Sequence, residues 1–123
     1  AGIPCACGRS GHLESVASGT SIGRMYDERF GRVDPSRPSV GRDVNDLCRA
    51  GDAKATEVIH DAGFALGASL GSLANILDPE VIVLSGGVIH QGPDWRSQTW
   101  KDSVHEGDAP LIGAAEHLLA SLK

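Results

Sequence analysis

The stretch 52–77 constrains this chain more than any other part of it. Ala55, Val58, Ile59, Ala62, Ala65, Leu66, Ser69, Leu70, Leu73, Ile76 and Leu77 recur at helical spacing, which predicts one long helix with these residues on its buried stripe. Asp52 is placed to cap its N-terminus, and Asp78-Pro79 to stop it. Within this stretch Gly63, Gly67 and Gly71 are spaced by four and share one side. Each costs roughly 1 kcal/mol of helix propensity relative to alanine, so their presence implies close packing against a sheet or another helix. The run Val81-Ile82-Val83-Leu84 follows at once. Its unbroken, β-branched-rich character predicts a strand covered on both faces, which Ser85-Gly86-Gly87 ends.

Upstream, Leu13 to Ala17 predicts a short helical turn that breaks at Ser18-Gly19, with Thr20 capping a helix through Phe30. Residues 31–40 hold Pro35 and Pro38 among polar side chains and read as a loop, not as an interdomain linker. A helix over 42–49 would bury Val44, Leu47 and Cys48 and end at Gly51. Residues 89–108 contain both tryptophans and show no period. A last helix over about 110–122, capped by Asp108, would bury Leu111, Ile112, Ala115, Leu118, Leu119 and Leu122.

A length of 123 residues suits one domain with one core, and an aromatic content of 4% means that small and aliphatic side chains must build it. A formal net charge of -5, with no dense Lys/Arg cluster, disfavours a nucleic-acid surface. No stretch is apolar enough to span a bilayer, and AGIPCACG lacks the features of a signal peptide. A cytoplasmic, reducing location is the expectation. The chain begins at Ala1 and opens on its densest motif, which suggests a fragment or a processed product.

That motif carries the chemistry. Three cysteines cannot all pair within one chain, and Cys5 and Cys7, one residue apart, suit shared metal ligation better than a structural disulfide. Cys48 reads as a small buried hydrophobe. Residues two apart in an extended segment point the same way, and Gly8 and Gly11 permit a tight turn that returns His12 toward the thiols. Thiolate and imidazole are preferred zinc donors, and a closed structural site needs four of them; this segment supplies three. The bland alternative is two incidental thiols and a surface histidine. Glu14 taken alone would serve the helix dipole, and Ser85-Gly86-Gly87 taken alone would be a plain turn.

The segment CACGRSGHLE resembles the signature of the ROK family of bacterial sugar kinases, and the likeness continues in order through SVASGTSIG, GDAKA, LANILDPEVIVLSGGV and LIGAAEHL. The resemblance implies an α/β fold: a partial actin-like ATPase (ribonuclease H-like) lobe whose helices cover a small sheet, with a zinc-binding loop at its N-terminus. It makes Cys5, Cys7 and His12 structural zinc ligands, His12 standing where most members have a third cysteine. It makes Glu14 the residue that hydrogen-bonds sugar hydroxyls, and it sets Ser85, Gly86 and Gly87 against the adenosine side of a nucleotide.

In that family the phosphate loop, the catalytic aspartate and the fourth zinc ligand lie in the N-terminal half. The whole of 1–123 is therefore expected to be the C-terminal lobe of a hexose kinase, with 1–19 as the zinc and sugar signature and 78–88 as the nucleotide-side strand and turn. ATP and magnesium would serve the intact protein, as a homodimer, and this chain alone would be inactive. Residues 89–109 are shorter than the family's pattern. Two other readings share the signature: the sugar-sensing domain of a ROK-type transcriptional repressor, and a truncated product retained as a zinc-binding scaffold.

Overall fold

The computed structural model describes residues 2–80 together with Ile82, Leu84 and Val88. Among the described residues four helices follow an N-terminal hairpin: α1 (Glu14–Ala17), α2 (Gly19–Phe30), α3 (Gly41–Arg49) and α4 (Ala53–Leu77). Among the described residues the only β pairing is an isolated antiparallel bridge between Pro4 and Ser10. The strand over 81–84, the turn at Ser85, Gly86 and Gly87, the irregular stretch 89–108 and the helix over 110–122 fall outside the described residues, apart from Ile82, Leu84 and Val88.

Helix α4 is the spine on which α1, α2 and α3 pack, and α2 also packs on α1 and α3. The Asp52 carboxylate accepts from the Ala55 amide at 2.8 Å, as its capping position requires. At the other end Asp78 turns left-handed (φ 45°) before Pro79, which cannot continue the helical hydrogen bonding. Ile22, Met25 and Tyr26 lie on one face of α2 at i, i+3 and i+4. They meet Val44 of α3 and Ala55, Val58, Ile59 and Ala62 of α4 in a single core. Each large aliphatic side chain sealed there contributes about 1.5–3 kcal/mol. Phe30 closes one end, edge-on to Tyr26 at 5.5 Å and under the Lys54 ammonium at 5.4 Å.

Three expectations need correction. Ser18, not Thr20, caps α2: its hydroxyl accepts from the Ser21 amide at 3.2 Å, so α1 and α2 are separated by one residue. Leu47 and Cys48 are half-buried, with the Cys48 thiol 3.6 Å from the Thr56 hydroxyl. On α4 the buried stripe runs through Gly63, Gly67, Leu70 and Ala74, whereas Leu73, Ile76 and Leu77 are 47%, 77% and 66% exposed. Length explains this last difference. At 1.5 Å per residue α4 is about 37 Å long, while α2 and α3 reach only about 18 and 14 Å, so its second half overhangs them. Ser69 is half-buried, and its hydroxyl returns to the Ala65 carbonyl at 2.8 Å, which satisfies it within the helix.

The loop 31–40 is held against α2 by polar contacts. The Ser39 amide donates to Asp27 Oδ2 at 2.9 Å, and the Val33 amide donates to the Ser39 hydroxyl at 3.0 Å. Arg37 forks onto both oxygens of Asp43 at 2.7 and 2.8 Å, and the Val40 amide donates to Asp43 Oδ2 at 2.9 Å. The Arg37 fork and then that amide push the Asp43 carboxyl down to about 2. Gly23 is what lets the loop lie so close. A Cβ there would stand 2.5 Å from the Ser39 carbonyl carbon and 2.7 Å from Val40 Cα.

Candidate metal centre and ligand edge

Residues 2–12 fold back on themselves through local backbone bonds. The Cys5 amide donates to the Arg9 carbonyl at 2.7 Å, the Gly8 amide to the Cys5 carbonyl at 3.0 Å, and the Gly11 amide to the Ile3 carbonyl at 2.9 Å. Two glycines permit the path: Gly8 and Gly11 have φ of 86° and 78°, left-handed values that a side chain would strain. The chain then enters α1, where the Ser15 amide and hydroxyl both donate to the His12 carbonyl.

This path brings together the three residues that the sequence singled out. Donor atoms of Cys5, Cys7 and His12 all lie within 4.8 Å of one another, and Cys7 Sγ is 3.2 Å from His12 Nδ1. Zinc–sulfur and zinc–nitrogen bonds of about 2.3 and 2.0–2.1 Å set tetrahedral edges of roughly 3.5–3.8 Å. The 3.2 Å contact is a hydrogen-bond separation a few tenths of an ångström inside that edge, so small side-chain shifts suffice. The donor set, two sulfurs and an imidazole nitrogen, fits zinc. Among the described residues no fourth donor joins them. Cys5 is half-buried, and Cys7 and His12 are exposed.

Glu14 is the first residue of α1 and is exposed, two positions beyond His12. Among the described residues its carboxylate takes no hydrogen bond or ion pair. Helix α1 has only four residues, too few for an appreciable macrodipole, which weakens the explanation of Glu14 as a helix-start charge. Glu14 thus follows the hairpin directly, separated from His12 by Leu13 alone.

Sequence reasoning passed over Ser21 and Arg24. Their i, i+3 spacing puts them on one side of α2, but only the fold carries the carbonyls of α1 to that side. On the nucleotide-side expectation, Leu84 and Val88 both pack against the core, and Val88 lies beside Gly19; Ser85, Gly86 and Gly87 are outside the described residues. Near Gly19 and Thr20 an open cleft of about 450 Å³ is bounded by Arg37, Val40, Gly41, Arg42 and Asp43. No described helix is long and apolar enough to cross a membrane.

The ROK family profile matches residues 1–116. The glucokinase of Halalkalibacterium halodurans is 37% identical over 100 residues, which take in 74% of this chain and 30% of the relative. The N-acetylmannosamine kinase of Yersinia pseudotuberculosis is 40% identical over 134 residues, with 98% of this chain and 44% of the relative covered. Among solved structures, the ROK hexokinase from Thermus thermophilus superposes with a TM-score of 0.69 at 29% identity, over 93% of this chain and 42% of that one. A ROK family transcriptional regulator, a homologue of the E. coli MLC protein, superposes with a TM-score of 0.65 at 27% identity, over 93% of this chain and 30% of that one. The chain therefore spans less than half the length of each of these relatives.

Proposed function

The chain belongs to the ROK family, and from that premise we propose that it is the C-terminal part of a kinase that transfers the ATP γ-phosphoryl group to a hexose hydroxyl, with glucose or a related sugar as substrate. The observation that carries this reading is the hairpin: it gathers Cys5, Cys7 and His12 and leads through a single residue into Glu14. Bound there, zinc would act structurally, cross-linking the loop. Cys5, Cys7 and His12 would hold it, and a fourth donor would come from elsewhere in the protein. Glu14 would accept hydrogen bonds from adjacent sugar hydroxyls, a task for which its exposed carboxylate is suited. Ser85, Gly86 and Gly87 would lie along the adenosine, where glycine lets backbone approach a ligand.

Phosphoryl transfer rests on a phosphate cradle, a carboxylate-held magnesium and an acceptor for the hydroxyl proton. On this reading those groups belong to the half of the enzyme that precedes this segment, and 1–123 acts as a lobe without independent activity. The experiment is a coupled ADP-release assay with magnesium, ATP and a panel that includes glucose and N-acetylmannosamine. The full-length protein should turn over one or more of them, and the isolated chain none. Turnover that copurifies with the isolated chain would refute the division of labour, and a full-length protein inert to every hexose would refute the kinase reading.

The regulator among the structural neighbours favours a second reading, in which the same lobe senses a sugar inside a transcriptional repressor. Upstream sequence separates the two: a helix-turn-helix would favour the repressor, a phosphate loop with a catalytic aspartate the kinase.

A further inference from the structure

A four-residue helix does not hold itself. One turn of α-helix is below the length at which its own hydrogen bonds offset the cost of nucleation, so the position of Glu14 must be fixed from outside α1. Its own amides bond backward: Ser15 to the His12 carbonyl, and Val16 and Ala17 to the Leu13 carbonyl. The carbonyls at its forward end have no helix to bond into. Two side chains of α2 take that place. The Ser21 hydroxyl donates to the carbonyl of Glu14 itself at 2.9 Å, and Arg24 Nη2 donates to the Ser15 carbonyl at 2.9 Å. Both partners are themselves constrained. The Ser18 hydroxyl donates to Ser21 Oγ at 3.0 Å, and Arg24 Nη1 is gripped by both oxygens of Glu28 at 2.8 and 2.9 Å. Ser15 and Ser21 are only 3% and 8% exposed, and the Arg24 guanidinium reaches the Ser15 carbonyl from a side chain that is 39% exposed.

We propose that Ser21 and Arg24 are positioning residues for sugar binding: they pin the turn that carries Glu14 and so set where its carboxylate meets the substrate. This rests on the proposed role of Glu14. Both act on the backbone of α1, so on this proposal their substitution acts through Glu14. Losing Arg24 leaves the Ser15 carbonyl buried without its donor, and α1 shifts to satisfy it.

The test is a double-mutant cycle in the full-length protein, read as the Michaelis constants for sugar and for nucleotide together with bound zinc. Arg24→Met should raise the sugar KM by about ten- to a hundredfold, the scale on which roughly an ångström of misplacement acts. Nucleotide KM and zinc content should hold, and Arg24→Lys, which keeps a donor, should restore most of the loss. In a Glu14→Gln background Arg24→Met should add little, because the group it positions is already disabled. Ser21→Ala provides a second, milder variant should Arg24→Met fail to fold. If Glu14→Gln raises the sugar KM but neither α2 variant does, or if the losses simply add, the positioning role is wrong while the sugar contact stands. If Glu14→Gln itself leaves the sugar KM unchanged, the sugar contact falls and the positioning role with it.

Discussion

Replacing Gly23 by alanine tests the packing of α2 against its loop with a sign that helix propensity alone gets wrong. Gly23 is buried in the middle of α2, where alanine is favoured by roughly 1 kcal/mol on propensity. The structure opposes that gain, because the new methyl group would meet the Ser39 carbonyl carbon at 2.5 Å and Val40 Cα at 2.7 Å. Both neighbours are backbone, and both are tied down. The Ser39 amide is held by Asp27, and the Val40 amide by Asp43, which Arg37 grips in turn. The loop cannot give without losing one of these bonds. Overpacking costs about 1–3 kcal/mol and more where the surroundings are fixed. A further 1 kcal/mol or so follows if a hydrogen bond breaks. The net expectation is a destabilisation of about 2 kcal/mol. With a urea slope of roughly 1–2 kcal/mol/M for a chain of this size, the unfolding midpoint followed by circular dichroism should fall by about 1–2 M. Ser72→Ala, on the exposed side of α4, serves as the control and should leave the midpoint in place. A Gly23→Ala protein as stable as its parent, or more so, would refute the close approach of Ser39 and Val40.

Protein purified without chelator should carry about one zinc per chain, and Cys5→Ser or Cys7→Ser should remove most of it; metal analysis that finds none in folded, reduced protein would end the metal reading. Glu14→Gln in the full-length protein should raise the sugar KM about ten- to a hundredfold, the equivalent of about 1.5–3 kcal/mol for hydrogen bonds to a charged group, with zinc content unchanged. The Asp43 carboxyl titrates near 2 in the folded chain against an ordinary 3.8. Its contribution to stability is therefore complete above about 4 and disappears as pH falls through about 2. Urea midpoints measured across that window should drop in the parent and drop less in Asp43→Asn.

What the sequence revealed follows from how local each signal is. The span of α4 and its cap at Asp52 were legible because period, cap and stop all lie within one continuous stretch. The gathering of Cys5, Cys7 and His12 was legible for the same reason, since two glycines and a spacing of two suffice to fold these side chains together. The cap of α2 was misjudged because Ser18-Gly19 reads as a break; it is a one-residue joint whose serine already belongs to the next helix. Leu73, Ile76 and Leu77 were expected in the core because periodicity reports which residues share a face, not how far the partners on that face extend. The role of Ser21 and Arg24 was invisible, since nothing in the spacing of two residues on α2 announces where the carbonyls of α1 will fall.

The hairpin also has a place in time. Each backbone bond that shapes it joins residues at most eight positions apart, from Ile3 to Gly11, so closing it costs little chain entropy and waits for nothing downstream. The turn of Glu14, by contrast, is anchored by Ser21 and Arg24, and cannot settle until α2 exists. The backbone bonds that gather the two thiols and the imidazole are thus independent of α2, whereas those that anchor the turn of Glu14 are not. On the proposed function, a substitution that loosens α2 should therefore disturb sugar binding more than it disturbs the three described metal donors.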